Sequence, residues 1–235
     1  MTITVMSFNT QHCRNYVTGE IDFDLFAHTI RRCGADIVGL NEIRDQGDDP
    51  EFTAQARELA GRLGYQWYFA KALDIDGGGP YGNALLSRFP IVSAQTIPIP
   101  DPAERHYDDY YETRCLLKAI IAVDSGLNVL VSHFGLNPDE QENAVGTVLE
   151  HLPPKRGVLM GDFNMTPDDP RLRPIRQRLF DTAARFPAER LSFPSDRPDC
   201  KIDYIFSTGD VRVARADIPA IVASDHRPHT AVLEL

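Results

Sequence analysis

Several things are scarce in this chain, and each scarcity excludes something. No apolar stretch approaches the ~18–20 residues that a membrane-spanning helix needs; the best run, Leu116 to Val123, is interrupted by Lys118. The N-terminal MTITVMSFNTQH has neither a basic head nor a long apolar middle, so no secretory leader is expected there. Only four cysteines occur, Cys13, Cys33, Cys115 and Cys200, and no two are spaced as CxxC. A disulfide framework is therefore not expected, and reduced thiols in a cytoplasmic setting are. No HExxH motif or Cys/His cluster points to zinc. Basic residues are the minority, 24 Lys and Arg against 34 Asp and Glu, a net charge of −10. That balance argues against a protein gripping nucleic acid with a broad basic face. It does not exclude a nuclease, because a bound cation supplies positive charge locally.

The chain has what a large core requires. Of 235 residues, 43% are hydrophobic, and 25% charged is ordinary for a soluble globular protein. There is no repeat, no low-complexity tract and no linker-like segment, so one domain over 1–235 is expected. Apolar residues at helical spacing mark four helices. The first runs through Phe23, Phe26, Ala27 and Ile30, with Asp22 as cap and Gly34 as stop. The second runs through Phe52, Ala56, Leu59 and Leu63. The third holds Ala144, Val145, Val148, Leu149 and Leu152 between Pro138 and Pro153-Pro154. The fourth, through Leu172, Ile175, Leu179 and Phe186, is bent or split at Pro174. Eleven strand-like runs lie between them: 2–8, 36–40, 66–70, 83–87, 91–98, 114–123, 128–133, 157–160, 202–207, 211–216 and 230–235. Asp124-Ser125-Gly126 and Thr208-Gly209-Asp210 read as hairpin turns, and 76–80 and 98–113 as loops. So many strands are expected to form two mixed sheets packed face to face, with helices outside.

Polar residues stand at the ends of the apolar runs. Asn9 ends the first, Glu42 follows Ile37–Asn41, His133 follows Val129–Ser132, and Asp162 and Asn164 follow Val158–Gly161. Asp203 lies within Ile202–Phe206, and Asp225-His226 precede the last strand. Strand ends gather along one edge of an α/β sheet, where ligand crevices form. Carboxylates are hard ligands suited to Mg²⁺ or Mn²⁺. Amides hold oxyanions or neighbouring carboxylates, and histidine holds a proton near neutrality. Together these groups suit attack of water on a phosphate ester.

The motifs MSFNTQH, GLNEI, YGNALLSR, VSHF, GDFNMTP, IDYIF and SDHRPHTAV, in that order, resemble the endonuclease/exonuclease/phosphatase superfamily, the DNase I-like fold. The resemblance covers nearly the whole chain and implies a four-layer α/β sandwich, two sheets inside and helices outside. It implies Mg²⁺- or Mn²⁺-dependent phosphoester hydrolysis. It makes Glu42 the principal metal ligand, Asn9 an organiser of that site and Asp225 a carboxylate at its edge. Asp162 becomes the base or water orienter, Asn164 and His133 phosphate contacts, His226 the phosphoryl histidine and Asp203 its orienting acid. Asn83 is expected to contact phosphate or support the site, and Arg114 to be a phosphate clamp or a surface arginine. Some members carry an acid two residues after the first asparagine; here that position is Gln11, which favours one tightly bound ion.

The motifs fit apurinic-site endonucleases and inositol-polyphosphate 5-phosphatases poorly, and sphingomyelinases, usually secreted, are not expected where no export signal is read. Six arginines between Arg171 and Arg190 form either a solvated helix face or a polyanion track, and the Tyr107–Tyr111 loop either stacks on a base or sugar or packs as a flap. A small phosphodiester, or a phosphomonoester, is the expected substrate. A nuclease of single-stranded or small nucleic acid is the alternative, and a non-catalytic binding module is disfavoured by the full set of site residues. No obligate protein partner is evident.

Overall fold

The computed structural model describes residues 1–75 and 77–235. Among them the strands are β1 (Thr2–Asn9), β2 (Ile37–Arg44), β3 (Gln66–Ile75), β4 (Gly79–Ser87), β5 (Ile91–Pro98) and β6 (Cys115–Ile121). They continue with β7 (Leu127–Ser132), β8 (Gly157–Asp162), β9 (Phe180–Asp181), β10 (Asp203–Ser207), β11 (Arg212–Asp217) and β12 (His229–Glu234). The α-helices are α1 (Phe23–Cys33), α2 (Gln55–Leu63), α3 (Pro138–His151) and the single turn α4 (Arg173–Arg176).

The strands form two six-stranded sheets, ordered β11-β12-β1-β2-β4-β3 and β5-β6-β7-β8-β10-β9. One buried cluster joins them: Ile3, Val5, Ile37 and Leu85 of the first meet Leu117, Val131, Met160 and Ile205 of the second. Period-2 alternation sends the opposite faces outward. Met6, Phe8, Val38 and Leu40 pack under Phe26 and Ile30 of α1 and Ala56 and Leu59 of α2. On the other side, Leu116, Leu130, Leu159 and Phe206 pack under Ala144 and Val148 of α3 and Ile175 of α4. The result is the expected four-layer α/β sandwich.

Local signals set the helix ends. Asp22 Oδ1 accepts from the Leu25 N–H at 2.9 Å, and Gly34, at φ 63°, ends α1. At the start of α3, Glu140 reaches back to the Asn137 N–H at 3.1 Å. Each of these two helices crosses between parallel neighbours, α1 from β1 to β2 and α3 from β7 to β8. The C-terminal ends of those four strands meet at one end of the sandwich.

Two glycines permit close approaches there. A Cβ on Gly39 would stand 2.7 Å from Met160 Sδ and 2.9 Å from Val131 Cγ2, so its lack lets the sheets close together. Gly161, at φ 152°, would place a Cβ 1.7 Å from the Ser132 carbonyl oxygen on β7.

The structure departs from the sequence reading in particular places. Phe52 precedes α2 rather than opening it. The fourth helix is one α turn with Pro174 in its first turn, which blocks extension toward the N-terminus, and it is flanked by tight turns at Pro170–Leu172 and, after β9, Thr182–Arg185. Thr208–Asp210 is not a hairpin turn: β10 and β11 belong to different sheets, and the turn carries the chain across. Of the expected loop at 76–80, Asp76 lies outside the described residues, Gly77 and Gly78 form a turn, and Gly79 and Pro80 already belong to β4.

Candidate functional site

The strand ends supply the polar residues, and local backbone distortion aims them. Glu42 lies where the β2–β4 register shifts between Leu40 and Ile43, and its φ is 57°. The bulge turns its carboxylate out of the alternation of the sheet. Asn164, at φ 50°, ends the tight turn after β8, and Gln11, His12 and Cys13 all have positive φ after β1. Non-glycine residues held there cost about 1 kcal/mol or more each, and here they cluster where three strands end.

These turns open onto a cavity of about 430 Å³. Glu42, Arg114, His133, Asp162, Asn164, Asp225 and His226 line it. Asn9 and Asp203 are fully buried immediately behind. The Asn9 amide nitrogen donates to Glu42 Oε1 at 2.9 Å and to Asp162 Oδ2 at 3.0 Å, bridging carboxylates from different sheets. Asp162 Oδ1 accepts from the Asn164 N–H at 3.0 Å. Its Oδ2 faces Nε2 of His226 at 3.5 Å and Nε2 of His133 at 3.6 Å. His226 in turn pairs Nδ1 with Asp203 Oδ2 at 2.9 Å, across 23 residues of sequence, and its ring rests against Phe193.

Asn83 is 2% exposed and does not face the cavity. Its amide accepts from Asn41 at 2.7 Å and donates to the Cys115 carbonyl at 3.0 Å, so both ends are used inside the protein. It supports the site from behind. Arg114 is not a surface group: it is buried and lines the cavity, with Nη1 2.6 Å from Glu112 Oε1 and 2.8 Å from His133 Nδ1. Tyr110 lines the cavity and is 71% exposed, whereas the Tyr111 hydroxyl is tied to Asp139 at 2.8 Å. The Tyr107–Tyr111 loop thus both packs and presents a ring. In the arginine-rich stretch, Arg171, Arg176 and Arg190 pair with Asp169, Asp181 and Asp217.

Sequence reasoning missed four residues. Asn41 ties the sheets together: its Oδ1 accepts from the Asp162 N–H at 3.0 Å while its Nδ2 reaches the Ser132 carbonyl at 3.2 Å. A polar residue next to Glu42 in a buried run was the available signal. His12 lines the cavity 3.9 Å from Glu42 Oε2 and packs on Phe52 and Tyr81. Glu112, partner of Arg114, lies in an irregular segment that gives no periodic signal. Phe193, the wall behind His226, is equally silent in sequence.

The charges are held unequally. Burial pushes the Glu42 carboxyl up to about 7, with Asp225 and Asp162 adding to the rise against the Asn9 hydrogen bond. Burial also raises Asp162, opposed by the His226 charge. Burial would lower His226, but Asp203, Asp162 and Asp225 outweigh it and raise the imidazole to about 10. Burial and the Arg44 charge bring His12 down to about 4. His133 is pushed well below the usual range by burial and then by Arg114. At neutral pH the cavity thus holds an imidazolium at 226 and neutral imidazoles at 12 and 133.

Asp162, Asp203 and His226 also form a buried group whose ligand atoms lie within 4.8 Å of one another, a spacing compatible with a cation. Oxygen donors crowded in a buried, acidic cavity fit a hard divalent ion.

The family model of the endonuclease/exonuclease/phosphatase family matches residues 6–226. The chain belongs to that family. Members of the endonuclease/exonuclease/phosphatase family are hydrolases of phosphate esters and are generally dependent on divalent metals. Solved structures share its DNase I-like fold. A family member from Beutenbergia cavernae superposes with a TM-score of 0.80 at 23% identity, over 100% of this chain and 72% of that one. A mannosyl-6-phosphatase from Bacteroides thetaiotaomicron gives 0.78 at 18% identity, over 99% of this chain and 100% of that one. D. rerio TDP2, complexed with single-strand DNA product, gives 0.71 at 14%, over 100% and 99%. Among curated proteins, none matches the sequence with significance. No helix among the described residues is long and apolar enough to cross a membrane.

Proposed function

We propose that this member of the family is a Mg²⁺- or Mn²⁺-dependent hydrolase that cleaves a small phosphodiester by attack of water, with phosphomonoesters the lesser substrates. The observation that carries the reading is that Glu42, Asp162 and His226, from distant parts of the sequence, line one cavity with Asp203 directly behind.

Glu42 would hold the ion, with Asp225 at its edge and Asn9 fixing the carboxylates. One ion is favoured, because Gln11 is neutral and its backbone N–H is tied to Asn9 Oδ1 at 3.1 Å. We read Asp203 and His226 as a hydrogen-bonded pair, with Asp162 Oδ2 3.5 Å from the other ring nitrogen, which leaves that N–H for the substrate. When bound, a divalent cation polarises the phosphoryl group and offsets the charge that develops on it. Asp162 orients the attacking water and takes its proton as the new O–P bond forms, while the bond to the leaving-group oxygen breaks and that oxygen takes a proton from solvent. The His226 imidazolium, aligned by Asp203, donates from Nε2 to a phosphoryl oxygen. The Asn164 N–H holds the Asp162 carboxylate in place, and the Asn164 side chain borders the phosphate position beside His133.

Charge favours the diester. Four carboxylates line the cavity, Glu42, Glu112, Asp162 and Asp225, against the Arg114 guanidinium and the His226 imidazolium. Arg114 is neutralised by Glu112. Without an ion the lining is net negative and repels a dianionic monoester more than a monoanionic diester; a bound divalent ion offsets that excess. The volume suits one or a few residues of a polymer at most. The nuclease alternative draws on the exposed Tyr110 ring and on the DNA-bound TDP2 relative; the phosphomonoester alternative draws on the mannosyl-6-phosphatase relative. The unpaired cysteines fit a reducing compartment such as the cytoplasm.

A metal-supplemented screen of bis-p-nitrophenyl phosphate, p-nitrophenyl phosphate, sugar phosphates, lipid diesters, nucleotides and oligonucleotides tests the reading. Metal-dependent turnover greatest on small diesters is expected. Turnover rising with oligonucleotide length would establish the nuclease instead, and no turnover on any ester would end the proposal.

A further inference from the structure

We propose that Arg114 and Glu112 are positioning residues that fix His133 as a neutral imidazole protonated at Nε2, so that it meets substrate as a hydrogen-bond donor and takes no part in proton transfer. The tautomer follows from geometry alone; its catalytic meaning rests on the phosphoesterase reading above.

Arg114 Nη1 lies 2.8 Å from His133 Nδ1. A guanidinium carries donors only and does not lose its proton in proteins. The only hydrogen bond available across that contact runs from Arg114 to a lone pair on Nδ1. The single proton of the ring is then on Nε2. A second proton, on Nδ1, would set two cations and two N–H groups against each other in a buried place. The depression of His133 by burial and by the Arg114 charge agrees with this.

The arginine is itself anchored. Glu112 Oε1 lies 2.6 Å from the same Nη1. The Glu112 N–H donates to Glu140 Oε1 at 3.0 Å, in the first turn of α3. A line of contacts thus runs from α3 through Glu112 and Arg114 to His133. At its far end Nε2 faces the cavity. Asp162 Oδ2, at 3.6 Å, is too far to accept a full hydrogen bond. Asn164 Nδ2, 3.3 Å away, is a donor only: it gives one N–H to the Phe134 carbonyl at 3.0 Å and cannot accept from Nε2, and in the proposed tautomer its second N–H makes no bond to the ring. Among the described residues the His133 N–H therefore has no committed acceptor and is left for an oxygen of the substrate. His226 shows the opposite arrangement: carboxylates on both of its nitrogens hold it as a cation. The same residue type takes two different charge states beside one aspartate, and the partner on Nδ1 decides which.

Long-range ¹H–¹⁵N correlation spectra of ¹⁵N-histidine-labelled protein at pH 7 read the tautomer directly, with His133→Gln assigning its signals. In the wild type, Nδ1 of His133 is expected unprotonated and Nε2 protonated. Arg114→Met should lose that signature and lower kcat by about 10–100-fold with KM changed less, the scale seen when an orienting partner is removed. Arg114→Lys, which still offers a donor, should retain the tautomer and recover part of kcat. A wild-type Nδ1–H signature overturns the proposal. So does an Arg114→Met protein whose tautomer is unchanged while its kcat falls, since Arg114 would then act on substrate itself. The wild-type spectrum needs no variant to fold. It also stands apart from the activity screen: hydrolysis with the wrong tautomer refutes only the lock, and the right tautomer without hydrolysis refutes only the phosphoesterase.

Discussion

His133 and His226 approach the same oxygen: their Nε2 atoms lie 3.6 and 3.5 Å from Asp162 Oδ2. One is neutral through its arginine partner, the other cationic through its carboxylates, so Asp162 meets a single imidazolium. In the proposed mechanism, that asymmetry leaves the aspartate room to act as a base.

Asp162→Asn and His226→Ala should each lower kcat by at least ~10²–10³, the usual scale for loss of an acid–base or charge-stabilising group. Steady-state kinetics on the best diester from the screen, with circular dichroism to establish folding, measure this. Folded variants turning over at the wild-type rate would remove both residues from the mechanism.

With Glu42 holding the ion as proposed, metal binding is coupled to protons. The Glu42 carboxyl, raised to about 7 by burial and neighbouring carboxylates, must ionise to hold a cation. A carboxyl raised from 4.5 to about 7 makes the metal-free fold lose stability as pH rises through that window. Added Mg²⁺ or Mn²⁺ should therefore raise Tm more at pH 8 than at pH 5.5. Calorimetry in buffers of different ionisation heat should show proton release near pH 6.5. Glu42→Gln should abolish that release and weaken binding at least about tenfold. A release unchanged in Glu42→Gln would move the metal elsewhere.

The His226 shift sets a basic limit. Its pKa rises from 6.5 to about 10, so its pairing stabilises the fold fully below pH 6.5 and is lost as pH climbs through about 10. With saturating metal, kcat/KM should hold through the range 7–9 and fall as His226 loses its proton. His226→Ala should lack the basic limb while keeping the residual rate. A limb that persists in the variant belongs to another group.

Gln11→Asp tests ion number. A carboxylate there would add a ligand beside Asn9, and a second equivalent should appear in metal titrations. An unchanged stoichiometry would take away the reason for favouring one ion.

Gly161→Ala should be far more damaging than Gly39→Ala. The first drives a Cβ to 1.7 Å from the Ser132 carbonyl at a φ of 152°. The second presses on the Met160 and Val131 side chains rather than on backbone, an overpacking that costs about 1–3 kcal/mol. Urea unfolding of both variants orders them, and a Gly161→Ala protein as stable as Gly39→Ala would contradict the close β7–β8 approach.

The sequence by itself determined what local chemistry controls. Asp22 and Gly34 bound α1, Pro138 and Pro153-Pro154 bracket α3, and alternation marks the strand cores, because caps, prolines and periodicity act within a few residues. The motif residues Glu42, Asp162, Asp203 and His226 were legible because each stands as a polar group against an apolar run. Only the tertiary structure decided what long-range pairing controls. It sent β10 and β11 to different sheets, although Thr208-Gly209-Asp210 looks like a hairpin turn. It turned Asn83 inward to Asn41, and it closed Arg114 between Glu112 and His133. A side chain's partner across 19 or 42 residues of sequence leaves no periodic trace, and that partner fixes whether a polar group supports the site or faces its ligand.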